Sequence, residues 1–160
     1  MTYRKDIEKY SRESFAQHVL TVHSNNSDGK PYVWKCCKPK TWNYGYFVAE
    51  LPGAIVVYGD IGELIIAQGP SYNLEWLQKA IKSMDYILEK SSFKRNDFIE
   101  ENFAKALRER GEDPEKFSSY AEHYLGETGD SDLYEVCHDW PSTALWTYWA
   151  LHKFIELKSQ

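Results

Sequence analysis

Apolar and polar positions alternate with a period of two along "TWNYGYFVAEL" at 41–51, which places Trp42, Tyr44, Tyr46 and Val48 on one face of a strand and Phe47, Ala49 and Leu51 on the other. The same reading makes strands of "VLTVHS", "PYVWKCCK", "AIVVY" and "ELIIAQ", with the turn cluster "NNSDGK" at 25–30 dividing the first two. Pro52-Gly53 predicts a type II turn between the third strand and the fourth, because Pro supplies a negative φ and Gly a positive one. Gly59-Asp60-Ile61-Gly62 then lies between two apolar runs at the length of a tight hairpin connection. A phosphate-cradling loop would lead from a strand into a helix N-terminus, and here a strand follows, so the segment reads as a turn in which Asp60 accepts main-chain hydrogen bonds.

Beyond Gly69-Pro70 the period changes to that of a helix. Asn73 caps a run with Leu74, Leu77, Ile81, Met84 and Leu88 on one stripe. Asn96 or Asp97 caps a second, with Ile99, Phe103, Ala106 and Leu107 as its apolar face and Gly111 as its stop. Asp113-Pro114 opens a third, predicted to close near Gly126. "DWPSTALWTYWALHKFIELK" is apolar almost all round, as expected of a helix packed on several sides. A short leading helix begins at Ser11, with Phe15, Ala16, Val19 and Leu20 at helical spacing before "VLTVHS" turns β-like. The expected class is α+β: one domain over residues 1–160, with an antiparallel meander of about five strands (roughly residues 1–70) packed against about four C-terminal helices.

The chain has 160 residues, 42% of them hydrophobic, enough for a sizeable core. Its 19 Lys and Arg against 24 Asp and Glu give a net charge of −5, which argues against a duplex DNA binder held by phosphate neutralisation. The charge is segregated. Between Gly29 and Ala49 lie Lys30, Lys35, Lys38 and Lys40 and no acid, whereas Glu127 to Asp139 holds five acids and no Lys or Arg. Three cysteines, two of them adjacent at Cys36 and Cys37, suit a reducing compartment. The charged N-terminus lacks the apolar core of a secretory signal, and Trp140 to Leu151 is shorter than the roughly 20 residues of a membrane span. A soluble cytoplasmic protein without a membrane partner is expected.

Three stretches hold candidate chemistry. Cys137, His138 and Asp139 are metal-ligating types, but neighbours on one chain do not converge on a tetrahedral ion, and His152 or the Cys36-Cys37 pair would complete a site only through tertiary structure. The plainer expectation there is Asp139 capping a helix beside a partly buried Cys137. No spacing brings Cys137 together with His138 or His123 as nucleophile and base, so no enzyme, metal or cofactor is expected. "GETGDSDLYE" lacks the loop of a calcium-binding helix pair and reads as a solvated acidic segment capping the next helix. Its Glu127, Asp130, Asp132 and Glu135 make a candidate protein-binding surface. The alternative site is an aromatic and lysine sheet face built from Lys30, Tyr32, Trp34, Lys35, Lys38, Lys40, Trp42 and Tyr44, suited to a nucleotide or a single-stranded nucleic acid by stacking and charge.

Between Phe15 and about Trp76, the succession "HVLTVHS", "YGYFVAELPG", "VVYGDIG" and "LEWL" resembles a group of short proteins encoded by tailed phages and prophages, in which an aromatic strand, a Pro-Gly turn and a Gly-Asp-x-Gly hairpin recur in this order. The resemblance implies an accessory protein acting in the bacterial host cytoplasm. Such a protein would occlude a surface of a host protein, such as a nucleic-acid-binding defence complex, in the manner of an anti-CRISPR. On that expectation the acidic segment meets the partner, and the lysine and aromatic face is the alternative.

Overall fold

The computed structural model describes residues 3–117, 125 and 129–160. These form an α+β fold in two compact units, residues 3–94 with 142–160, and residues 95–141.

In the first unit, α1 (Tyr3–Phe15) leads into the antiparallel strands β1 (Val19–Asn25), β2 (Pro31–Cys37), β3 (Tyr46–Leu51), β4 (Ala54–Gly59) and β5 (Gly62–Ile66), which lie side by side in sequence order. Then come α2 (Leu74–Ala80) and α3 (Met84–Glu89). Register sets the two faces of the sheet. Trp34, Val48, Val57 and Leu64 pair in one row across β2 to β5. All four are buried beneath the helices, each worth about 1.5–3 kcal/mol in removal from water. One residue along, and so on the opposite face, Thr21, Lys35, Phe47, Tyr58 and Glu63 pair in a row across all five strands.

The turns follow their residues. Leu51 pairs with Ala54 around Pro52-Gly53, with Gly53 at φ +76°, and Gly59 pairs with Gly62 around the two-residue turn Asp60-Ile61. At Gly59, φ is +154° and an added Cβ would come within 2.4 Å of the Gly45 carbonyl oxygen, so only glycine fits where the two loops approach.

In the second unit, β6 (Asp97–Phe98), α4 (Glu100–Glu109) and α5 (Ser131–Cys137) are followed by β7 (His138–Asp139), which pairs with β6. Phe103, Ala106, Leu107, Leu125, Leu133 and Cys137 form its core. The last helix, α6 (Ser142–Lys158), belongs to the first unit, where it packs on α1, α3 and strands β1, β3 and β5. Tyr46 Oη donates to the Ala150 carbonyl at 2.9 Å and fixes β3 to this helix.

Several elements differ from the periodic reading. The first helix starts at Tyr3, so Ser11 is buried inside it, and Val19 and Leu20 belong to β1. The stripe from Leu74 to Leu88 spans two helices. The chain breaks at Ile81, whose carbonyl accepts from Tyr148 Oη at 2.6 Å, so the core satisfies the acceptor left by the break. Asp97 lies in a strand, and Ile99 is the N-cap of α4 without a side-chain bond. Asp113 accepts from Glu115 N at 3.1 Å and caps a single 3₁₀ turn, Pro114–Lys116. The expected continuation of that helix toward Gly126 lies outside the described residues.

Candidate ligand-binding face of the sheet

The row opposite the core carries the site. Phe47 and Tyr58, cross-strand neighbours on β3 and β4, stack with ring centroids 5.0 Å apart and planes 20° from parallel. Trp42 adds a third ring, 5.1 Å from Phe47. The β1–β2 register shifts between Val22 and Ser24, and the bulge at His23 sets the imidazole 4.8 Å from Phe47. Trp42 is 37% exposed and Tyr58 41%, so both rings remain open to solvent.

The 38–45 loop joins this row to a cleft of about 290 Å³ lined by Lys35, Cys37, Lys38, Lys40, Thr41 and Trp42. Lys35 Nζ lies 5.3 Å from the Trp42 ring centre. The loop holds two non-glycine residues in the left-handed region, Lys40 at φ +66° and Tyr44 at φ +57°. Such positions cost on the order of 1 kcal/mol or more each and are kept where the surroundings enforce them. Enforcement is visible: Tyr44 N donates to Asp60 Oδ2 at 3.1 Å, Asp60 N donates to Gly45 O at 2.9 Å, and the Tyr44 carbonyl accepts from His18 Nε2 at 2.9 Å. That bond fixes the His18 tautomer. Its ring is buried against Phe15 and Tyr46, and burial holds its pKa below the usual histidine value.

The aromatic and lysine residues named from sequence fall on different sides. Lys35, Lys38, Lys40 and Trp42 come together at the cleft. Trp34 is a core residue, 4% exposed, packed on Phe154 with Lys158 over its ring, so it offers no stacking surface. Tyr32 shares its side of β2 and is half-buried. Lys30 pairs with Asp28 in the tip loop between β1 and β2. Tyr44 stacks on Trp146, 5.4 Å away. Trp42 was expected on the face of Tyr46 and instead joins Phe47. Strand alternation starts only at Tyr46, and the turn before it reverses the ring's direction. Phe47, Tyr58 and His23 were missed as site residues. Phe47 and Tyr58 are equidistant from the Pro52-Gly53 turn and out of phase with the buried Val48 and Val57, and that signal would have found them.

Of the acidic set, Glu127 lies outside the described residues. Asp130 caps α5 by accepting from Leu133 N at 2.9 Å and pairs with Arg110, whose hydrogen bond, ahead of that from Leu133, holds its carboxyl below the usual range. Asp132 and Glu135 are exposed. Cys137 is buried at the end of α5, and burial pushes its thiol up to about 11. His138 Nδ1 donates to the Tyr134 carbonyl at 2.7 Å, and Asp139 is buried in β7, where Oδ1 accepts from Trp140 N, rather than capping a helix. His123 lies outside the described residues. Among the described residues no three His, Cys, Asp or Glu side chains gather as a metal site, and no helix is long and apolar enough to cross a membrane. No family model matches the chain, and neither a curated protein nor a solved structure matches it.

Proposed function

We propose that the open face of the sheet binds single-stranded nucleic acid. The observation that carries this reading is the run of Trp42, Phe47 and Tyr58 rings beside a cleft lined by Lys35, Lys38 and Lys40. Exposed rings offer bases a stacking surface that is tolerant of sequence, and ammonium groups follow the phosphates. A duplex keeps its bases stacked inside and offers such rings little. The test is fluorescence anisotropy of a labelled single strand of about 8 nucleotides, within the span one such module covers. Trp42→Ala and Tyr58→Ala should each weaken binding by about 1–3 kcal/mol. Reversing Asp132 and Glu135 to Lys should leave the loss on Trp42→Ala unchanged. Equal affinity of wild type and both aromatic variants would contradict the reading.

A second reading, an accessory protein of phage type that occludes a host protein, is favoured by one observation. On α5, Asp132 and Glu135 are exposed next to Tyr134 at 48% and Val136 at 57%, a mixed acidic and apolar surface suited to a basic protein partner. Capture from host lysate that fails for Tyr134→Ala/Val136→Ser, and survives loss of Trp42, would favour it over the first.

A further inference from the structure

We propose that the groove between α1 and α6, distinct from the sheet face, binds a small organic anion: a carboxylate or phosphate carried on an apolar body. The groove holds about 270 Å³, with Phe15, Ala16 and Trp149 as its apolar walls. Arg12, His152 and Lys153 bring nitrogen donors to it, and the one acid lining it is Glu156.

Those donors share that one carboxylate at long range. Lys153 Nζ lies 3.3 Å from Glu156 Oε2, His152 Nδ1 lies 3.3 Å from Oε1, and Arg12 Nη1 lies 3.9 Å from Oε1. A charge-assisted N–H···O bond closes to about 2.7–2.9 Å, so none of these three contacts with Glu156 is at its best distance, and the Arg12 Nη groups and the Lys153 ammonium have donor capacity to spare. Arg12 is positioned for a ligand rather than free to swing: its Nε donates to Glu8 at 2.9 Å and its guanidinium lies 4.3 Å from the centre of the Trp149 ring.

A second observation points the same way. Trp149 forms part of the wall and is 7% exposed, yet its indole N–H has no acceptor among the described residues. A buried donor left unpaired costs about 1–3 kcal/mol, so a turn of the ring that brings this N–H to an anionic oxygen in the groove would remove that cost. The head group takes Lys153 and Arg12 in place of Glu156, which is 41% exposed and turns to water, while the body of the ligand lies on Phe15, Ala16 and Trp149.

The experiment is a titration of the full chain, followed by ¹H–¹⁵N spectra of the indole groups, with the Trp149 signal assigned by Trp149→Phe. Phenyl phosphate, benzoate and inorganic phosphate are the probes. Phenyl phosphate or benzoate should move the Trp149 signal saturably with a Kd of about 1 mM or tighter. The tighter of these two names the head group. Lys153→Gln should weaken binding roughly tenfold, and Glu156→Gln, which removes the competing carboxylate, should strengthen it. Melting curves establish that both variants fold. Absence of a saturable shift in both wild type and Glu156→Gln, or equal affinity of wild type and Lys153→Gln, overturns the site. Equal binding of inorganic phosphate and phenyl phosphate overturns the role given to the apolar walls.

Discussion

The carboxylate of Asp60 accepts the main-chain N–H of Tyr44 at 3.1 Å, so the turn of one hairpin holds the loop that precedes another strand. That loop carries Lys40 and Trp42. Asp60→Ala should cost about 0.5–1.5 kcal/mol in denaturant unfolding and should also weaken single-strand binding, because Trp42 loses its support. Asp60→Asn keeps an acceptor oxygen and should retain most of both. Undiminished binding by a folded Asp60→Ala would show that the loop does not present the ring.

Glycines at positive φ are not equivalent. An added Cβ at Gly29 meets nothing within 4 Å, whereas at Gly59 it meets Gly45 O at 2.4 Å and Tyr46 Cα at 2.7 Å. Both alanine variants bear the strain of the left-handed region, about 1–3 kcal/mol, and only Gly59→Ala adds a collision with main chain. Gly59→Ala should therefore melt well below Gly29→Ala. Equal melting temperatures would mean that the loop at Gly45 yields freely.

Burial of His18, and of His152 in α6, lowers both pKa values from 6.5, so each imidazole takes up a proton more readily in the unfolded chain. Stability from these groups is present above the unfolded value and falls as the pH drops from 6.5 toward the folded values, because the unfolded state then binds more protons. The melting temperature should fall between pH 7 and pH 5. His18→Gln should be less stable at pH 7 and show a flatter dependence. A dependence as steep as that of wild type would assign the effect to other groups.

The three thiols should divide by position. Burial pushes Cys36 up to about 12 and Cys137 up to about 11, whereas Cys37 is half-buried and lines the lysine cleft. A thiol reagent should label Cys37 first, because burial withholds the thiolate form from the other two and Cys37 is the accessible one. Bound oligonucleotide should slow that labelling, and labelling of Cys37 at the same rate with and without it would place the strand elsewhere.

Much of the sheet was legible in sequence because its signals are local. Alternation in "YFVAEL", the Pro52-Gly53 dipeptide and the spacing of Gly59 and Gly62 specify strands and turns without reference to the rest of the chain. The all-round apolar character of α6 likewise marks a helix packed on several sides, eight of whose residues are buried. What sequence hid depends on partners far along the chain. The break at Ile81 is stabilised by Tyr148, and Asp130 is tied up by Arg110. The candidate site was half legible: Lys35, Lys38, Lys40 and Trp42 were named, while Trp34 was assigned to the wrong face. Composition records that a tryptophan is near a lysine but not which side of the sheet it points to, and pairing register decides that.

The dependence of single-strand affinity on salt tests the central claim most directly. Contacts between single strands and Z cationic groups give a slope of log K against log salt of about −0.7Z, so Lys35, Lys38 and Lys40 acting together predict a slope near about −2. Changing all three to Gln should flatten that slope and weaken binding, while Lys30→Gln, whose ammonium is paired with Asp28, should leave it unchanged. Wild type and the triple variant binding with the same affinity and the same salt slope would contradict the account.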